Sequence, residues 1–312
     1  MILCLGTTPT VQRTMSFARL TVDDVNRAKS VRQFASGKSV NAARVLKALG
    51  EPCVATGLLG GDSGKFMRED LDRAGIAHDF VDTSPTATRL CLTLLDESNH
   101  TATELIEEPA PPPVKVFEAL LAKLDELMAN ARAGWLLMSG TLAPGAGDDF
   151  YAKCVRLAGQ RNVRTIIDAK GAPLRLALSQ RPTVIKPNRA ELAATVEDTI
   201  DSVAGLRDAM RKVVSLGAGW VAVTHGVGDT LISDGSRVWR IATPKVEAVN
   251  PIGSGDSFAA GLAAGLRRGQ DVPEACRLAV ACASANAMTP NAGEVRPRDV
   301  EMLLSRVHLE PG

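Results

Sequence analysis

The chain is poor in the residues that mark metal proteins and secreted scaffolds. It has four histidines, His78, His100, His225 and His308, and none stands at metal-ligand spacing from another, so no structural metal is expected. Six cysteines (Cys4, Cys53, Cys91, Cys154, Cys276, Cys282) are scattered without a Cys-x-x-Cys pair. Cys4 and Cys53 fall inside apolar, strand-like runs, so the pattern fits buried free thiols in a reducing cytoplasm rather than a disulfide framework. No apolar run approaches the ~18–20 residues of a membrane span. The opening Met1-Ile-Leu-Cys-Leu-Gly6 is too short for a secretory signal, lacks a basic flank and reads as a first buried strand. An excess of one charge is missing too. Lys plus Arg (36) against Asp plus Glu (35) leaves a net charge of +1, which gives no reason to expect nucleic acid or a membrane as partner.

What is present is a strong alternation. The 312 residues, 45% hydrophobic, suit one large α/β domain over 1–312. Short β-type runs at 2–5, 53–59, 135–139, 164–168, 183–186, 220–224 and 230–233 alternate with amphipathic stretches at 38–49, 116–131, 148–159, 201–216 and 272–288. The pattern predicts a mostly parallel central sheet with helices on both faces. Two segments break the rhythm, at about 10–34 and 86–108. The second reads as strands over 88–96 and 101–107 around Glu97-Ser98-Asn99, so the two are expected to form a small antiparallel β lid. Ala110-Pro111-Pro112-Pro113 would be its stiff return linker. Gly60–Phe66 and Ser36–Ser39 imitate parts of a phosphate-binding P-loop, but neither completes it, and no Gly-x-Gly-x-x-Gly follows the first strand.

The most informative stretch is Asn250-Pro-Ile-Gly253-Ser254-Gly255-Asp256-Ser-Phe258, a glycine-rich turn running into a helical pattern. Glycines let the backbone approach a ligand, and a helix start offers unpaired N–H groups and a positive dipole end. A carboxylate beside such an anion cradle makes sense if Asp256 takes a proton from an attacking hydroxyl, which points to phosphoryl transfer. Taken alone, the stretch equally describes a turn with Asp in a favourable first-turn position.

The surrounding motifs decide between these readings. Ser36-Gly37-Lys38-Ser39-Val40-Asn41-Ala-Ala-Arg44 resembles the first signature of the PfkB (ribokinase-like) carbohydrate kinases, and the Asn250–Phe258 stretch resembles the second. Lys186-Pro-Asn188-Arg-Ala-Glu191, Val223-Thr224-His-Gly226-Val-Gly228, Gly57–Asp62, Ser139–Gly145 and Thr88-Arg89 follow the same family in order. The likeness is greatest to the hexose-phosphate branch, which includes 1-phosphofructokinase and tagatose-6-phosphate kinase.

The resemblance implies a ribokinase-like fold and ATP-dependent phosphorylation of a sugar hydroxyl. Asp256 would be the general base, and the Gly253-Ser254-Gly255 turn the anion hole. Thr224, Gly226 and Gly228 would line ATP, although the same residues describe a simple hairpin turn. Asn188 and Glu191 would position Mg²⁺ through water, and they also have the form of a helix capping box. Lys38 and Arg89, with Arg27 as a third, would hold a phosphate already on the sugar; Gly37, Asn41 and Gln12 fall among the sugar-contacting positions. Asp168 aligns with a family Asp near the site. Pairing of two copies through the lid is implied as well.

Departures from the pattern cluster at the sugar end. Thr8-Pro-Thr-Val-Gln12 stands where the branch shows Asn-Pro-x-x-Asp, so a neutral amide replaces a carboxylate. Ser36 and Ser39 replace glycines, each adding a side chain where a ligand should lie close to backbone, and Cys91 stands where Asn is common. These edits motivate two alternatives to a ketohexose-phosphate kinase: a kinase for an unphosphorylated sugar or nucleoside, and a non-catalytic sugar-phosphate-binding protein.

Overall fold

A computed structural model describes residues 1–130 and 134–312. In chain order the elements are β1 (Ile2–Gly6), β2 (Thr10–Phe17), β3 (Ser30–Ser36), α1 (Lys38–Ala48), β4 (Cys53–Leu59), α2 (Gly61–Arg73), β5 (His78–Asp82), β6 (Arg89–Asp96), β7 (Thr101–Ile106) and α3 (Val116–Asn130). There follow β8 (Trp135–Ser139), α4 (Phe150–Gln160), β9 (Arg164–Asp168), α5 (Gly171–Leu178), β10 (Val184–Ile185), α6 (Arg189–Val196), α7 (Val203–Ser215), β11 (Trp220–Val223), β12 (Thr230–Ser233) and β13 (Val238–Ile241). The last elements are α8 (Ser254–Arg267), α9 (Val272–Ala287), α10 (Pro297–Leu304) and β14 (Leu309–Pro311). The helix expected over 116–131 is present to Asn130; its last residue, Ala131, lies outside the described residues.

The main sheet has ten strands in the order β14-β13-β12-β11-β10-β9-β8-β1-β4-β5. From β11 to β5 every pairing is parallel, and β12, β13 and β14 close one edge antiparallel. Strands covered on both faces need continuous apolar runs, and β1 and β8 are buried at every position. One core gathers α1, α2, α8, α9 and α10 on one face, and a second gathers α3 to α7 on the other. The alternation in the sequence is therefore realised as a three-layer α/β fold.

The second sheet, in the order β3-β2-β6-β7, differs from the expected antiparallel lid in its central pair. The hairpins β2–β3 and β6–β7 are each antiparallel, but β2 and β6 run parallel from Thr10↔Arg89 to Phe17↔Asp96. The cause is connectivity. β2 follows β1 and β6 follows β5, two strands of the main sheet that run the same way, with β3, α1, β4, α2 and β5 between β2 and β6, so their join is parallel. The sequence reading also passed over β5, β13, β14, α2, α5 and α10. The Gly60–Phe66 pseudo-P-loop opens α2, with Asp62 in its first turn.

The two helices that carry the site lie unusually close. A Cβ on Gly261 of α8 would stand 2.8 Å from the Cα of Ala279 in α9, so the glycine is required by the approach of the two backbones. This fixes the N-terminal end of α8 at the carboxyl ends of β1, β8, β9 and β10, where open α/β sheets bind their ligands.

Candidate active site

Gly253 caps α8 in the left-handed region (φ 85°), and a Cβ there would stand 2.7 Å from the Gly293 nitrogen. Only glycine fits. Asn286 of α9 pins this turn. Its Nδ2 donates to the Ile252 carbonyl (2.9 Å), and its Oδ1 accepts from Ser257 Oγ (3.1 Å) and the Gly293 N–H (2.8 Å). Asn250 adds an Asx-type contact, its Oδ1 accepting from the Ile252 N–H at 3.0 Å. The Ser254 N–H donates to Pro251 O at 3.2 Å, and the Gly255 and Asp256 N–H groups, which have no backbone partner among the described residues, are the opening donors left to meet an anion.

Asp256 is buried, and its Oδ2 accepts from Asn41 Nδ2 at 2.8 Å. Burial pushes its carboxyl up to about 6, against the pull of Lys38, Lys186 and the Asn41 hydrogen bond, while Asp168 adds to the rise. Lys38 opens α1 beside Gly37, whose φ of 103° and close approach to Pro9 exclude a side chain. The Lys38 ammonium lies 3.5 Å from Asp168 Oδ2, and this carboxylate holds its pKa well above the usual lysine range, with smaller contributions from Asp256 and Glu191. On the other side of Asp168, Lys186 Nζ approaches Oδ1 at 3.2 Å and lies over the Phe258 ring. Asp168 and Lys186 are 0% and 3% exposed, so this pair is desolvated. The sequence reading took Asp168 as site-adjacent and passed over Lys186, although Lys186 begins the very motif from which Asn188 and Glu191 were chosen.

Asn188 and Glu191 form a complete capping box. Asn188 Oδ1 accepts from the Glu191 N–H, and Glu191 Oε2 accepts from the Asn188 N–H, both at 2.8 Å. A backbone bridge ties Asn188 to Thr224 and so joins the start of α6 to the β11–β12 turn. Thr224, Gly226 and Gly228 lie in that turn, where the Gly228 N–H bonds to His225 O at 2.7 Å. The hairpin reading is therefore correct as structure. The turn also walls a cavity of about 440 Å³ lined by Asn188, Arg189, Ala193, Thr224, His225 and Gly226. A larger hollow of about 540 Å³, lined by Leu206, Arg207, His225 and Arg240, lies beside the same turn, but no residue of the Gly253–Asp256 segment borders it.

The remaining expectations divide. Arg89 lies at the lid's inner end, its Nη1 donating to Glu107 O (3.2 Å) and its Nη2 to Thr8 O (3.1 Å), in a cleft with Thr7, Thr88 and Pro9. Gln12 is buried in the lid sheet and donates Nε2 to Thr93 Oγ1 at 2.8 Å, beside Cys91 in register. Ser36 and Ser39 are both buried and engaged within the chain. Ser36 Oγ donates to Asn41 Oδ1 (2.8 Å), and the buried Ser39 hydroxyl packs against Gly6. Arg27 is not brought to this site within the chain. It is exposed in the β2–β3 loop, next to Lys29, which pairs with Ser16 at the hairpin's outer end. Ser16 at that end is six residue steps from Thr10 along β2, a span of about 20 Å.

A family model described as pfkB family carbohydrate kinase matches residues 1–298. A Staphylococcus aureus protein described as a candidate phosphofructokinase is 27% identical over all of both chains, with a TM-score of 0.82. Escherichia coli phosphofructokinase-2, solved with fructose-6-phosphate, is 22% identical over 98% of each chain, with a TM-score of 0.86. A Thermotoga maritima protein described as a candidate 1-phosphofructokinase is 21% identical over 100% of this chain and 99% of its own, with a TM-score of 0.89. The last two share the fold.

The desolvated pair makes one prediction independent of any substrate. Lys186→Met should cost about 3–5 kcal/mol in urea unfolding by leaving Asp168 under-compensated, and the double variant with Asp168→Asn should recover much of it. Equal stability of wild type and Lys186→Met would show that the pair is not coupled.

Proposed function

The chain belongs to the pfkB family of carbohydrate kinases, an ATP-dependent group of enzymes, and on that premise we propose that it phosphorylates a phosphorylated ketohexose, such as fructose 1-phosphate, fructose 6-phosphate or tagatose 6-phosphate, giving a bisphosphate and ADP. The observation that carries this reading is the juxtaposition of Asp256, Lys38 and Lys186 at a glycine-capped helix start. In the proposed reaction Asp256 takes the proton of the sugar hydroxyl, the hydroxyl oxygen forms a bond to the γ-phosphorus, and the bond to the bridging oxygen of ADP breaks. The N–H groups at the start of α8 and the ammonium groups of Lys38 and Lys186 face the charge that develops on the transferred group.

ATP fits along Asn188, Thr224, Gly226 and Gly228. Glu191 retains one carboxylate oxygen outside the capping box, and among the described residues no cluster of three or more acidic, His or Cys side chains forms a metal cage. Glu191 and Asn188 would hold Mg²⁺ through water, and the ion would neutralise phosphate charge on the nucleotide. Arg89 is assigned to the phosphate already on the sugar. We further propose that Lys38, expected with Arg89 on the sugar's own phosphate, serves the transferring phosphoryl group, a reading supported by its place beside Asp168. Gln12, Gly37 and Asn41 border the sugar. The six cysteines are all free and buried, which suits a reducing cytoplasm.

We also propose that two copies pair through the second sheet. Its outer face aligns Val31, Met15 and Leu94 in one row and Leu92 and Leu105 in the next; Val31 is 56% exposed and Leu105 is 50% exposed. A patch of this kind on a small open sheet calls for a cover.

Release of ADP from MgATP against the three ketohexose phosphates, the free hexoses, ribose and adenosine tests the activity. Strong turnover with one ketohexose phosphate is expected, and Arg89→Ala should raise KM for that sugar about 10- to 100-fold with a smaller change in kcat. Turnover confined to a free sugar or nucleoside would contradict the substrate class, and silence across the panel from folded, ATP-binding protein would favour a binding role. For the pairing, Leu92→Glu is expected to shift sedimentation from dimer to monomer; a wild-type monomer at micromolar concentration would refute it.

A further inference from the structure

We propose that Ser36 is a positioning residue for Asp256, acting through the side chain of Asn41; the proposal rests on the phosphoryl-transfer reading above. Ser36 ends β3, and its Oγ donates to Asn41 Oδ1 at 2.8 Å. Asn41, in the first turns of α1, in turn donates Nδ2 to Asp256 Oδ2 at 2.8 Å. The three residues are 2%, 4% and 6% exposed, so water cannot substitute freely for any member of the relay.

The chemistry of the three groups gives the relay one direction. A carboxylate only accepts, so Asn41 must turn its nitrogen toward Asp256, which turns its oxygen toward Ser36. That oxygen, buried, needs a donor, and the Ser36 hydroxyl supplies it. Without the hydroxyl the amide loses its outer partner, and rotation that brought Oδ1 against Asp256 Oδ2 would set two acceptors face to face. Gly293 packs on the Asn41 backbone so closely that a Cβ would stand 2.7 Å from the Asn41 Cα, and the Gly293 N–H is held by Asn286. The backbone is therefore clamped, and the amide's rotation is the freedom that Ser36 restrains. With Oδ2 engaged, Asp256 keeps Oδ1 for the acceptor proton.

Replacement of Ser36 is a clean perturbation because it touches none of the charges around the base. Those facing Asp256 are Lys38 from α1, Asp168 from β9 and Lys186 after β10. The charged residues of α9, Glu274 and Arg277, pair with each other at 3.1 Å. The relay also ties the base to the lid. Ser36 is in register with Thr10, and Thr10 with Arg89, so one cross-strand row carries both the relay and the cation assigned to the sugar's phosphate. Where the family signature has glycine at this place, no hydroxyl is available, so the device belongs to this chain's own sequence.

The test compares wild type, Ser36→Ala and Ser36→Thr in two ways. With the sugar that turns over, Ser36→Ala should lose about fivefold to tenfold in kcat with KM values within about twofold, and the acid limb of the kcat/KM profile should move upward in pH; Ser36→Thr, which keeps the hydroxyl, should restore both. In the free protein, a carboxyl-¹³C NMR titration should show Asp256 ionising at higher pH in Ser36→Ala than in wild type. Identical Asp256 titrations in the two proteins would overturn the proposal whether or not any sugar is phosphorylated. A shifted titration in a protein that phosphorylates nothing would uphold the relay and retire the kinase reading.

Discussion

The structure turns on one costly arrangement: a carboxylate, Asp256, buried at the positive end of α8 among other buried charges. Ionising it there is opposed by desolvation and by the neighbouring Asp168, and favoured by Lys38, Lys186 and Asn41. The balance leaves its pKa at about 6, which makes it a stronger base than an exposed aspartate while still ionised near neutrality. The sign for stability follows. A carboxylate whose folded pKa lies above its unfolded value binds more protons when folded, so it disfavours the folded state as pH rises from about 4 through about 6. Much of the molecule serves to hold this group in place. The close α8–α9 contact at Gly261, the Asn286 brace and the Gly253 cap all fix the helix start, while the carboxyl ends of β9 and β10 deliver Asp168 and Lys186 beneath it.

The sugar end is built differently. There the chain uses neutral hydrogen bonds within the second sheet. Gln12 is engaged by Thr93, and Arg89 is held by two carbonyls, with no ion pair to its charge among the described residues. A guanidinium fixed by backbone carbonyls is pre-oriented for an anion. Glu104 lies across the sheet from Thr93, and Arg89 draws its carboxyl downward, which places it in the same electrostatic neighbourhood. The residues proposed to read the sugar therefore lie on a small sheet whose parallel centre joins two separate excursions of the chain.

Local sequence signals disclosed most of the central sheet, because β4, β8, β9 and β12 are short apolar runs bounded by turn residues. They did not disclose β5, whose His78-Asp-Phe-Val-Asp82 is polar at both ends and half-buried, nor the edge strands β13 and β14, which are stabilised by pairing with neighbours distant in sequence. Helix α2 was hidden by its glycines. Within the candidate site, the capping box at Asn188 was legible because its two partners are three residues apart. Lys186 with Asp168 and Asn286 with Gly253–Ser257 were not, since each depends on elements far apart in sequence being packed together. Arg27 shows the converse: a residue type suited to the chemistry, placed by chain geometry at the end of a hairpin far from Arg89 of the same chain.

The central claim is that Asp256 performs the proton transfer while other groups bind the nucleotide. Its most direct test is to measure MgATP affinity by calorimetry and turnover by ADP release in wild type and Asp256→Asn. The account predicts a Kd for MgATP within about threefold of wild type and turnover lower by roughly 10³-fold or more. An Asp256→Asn protein that keeps turnover near the wild-type level would contradict it.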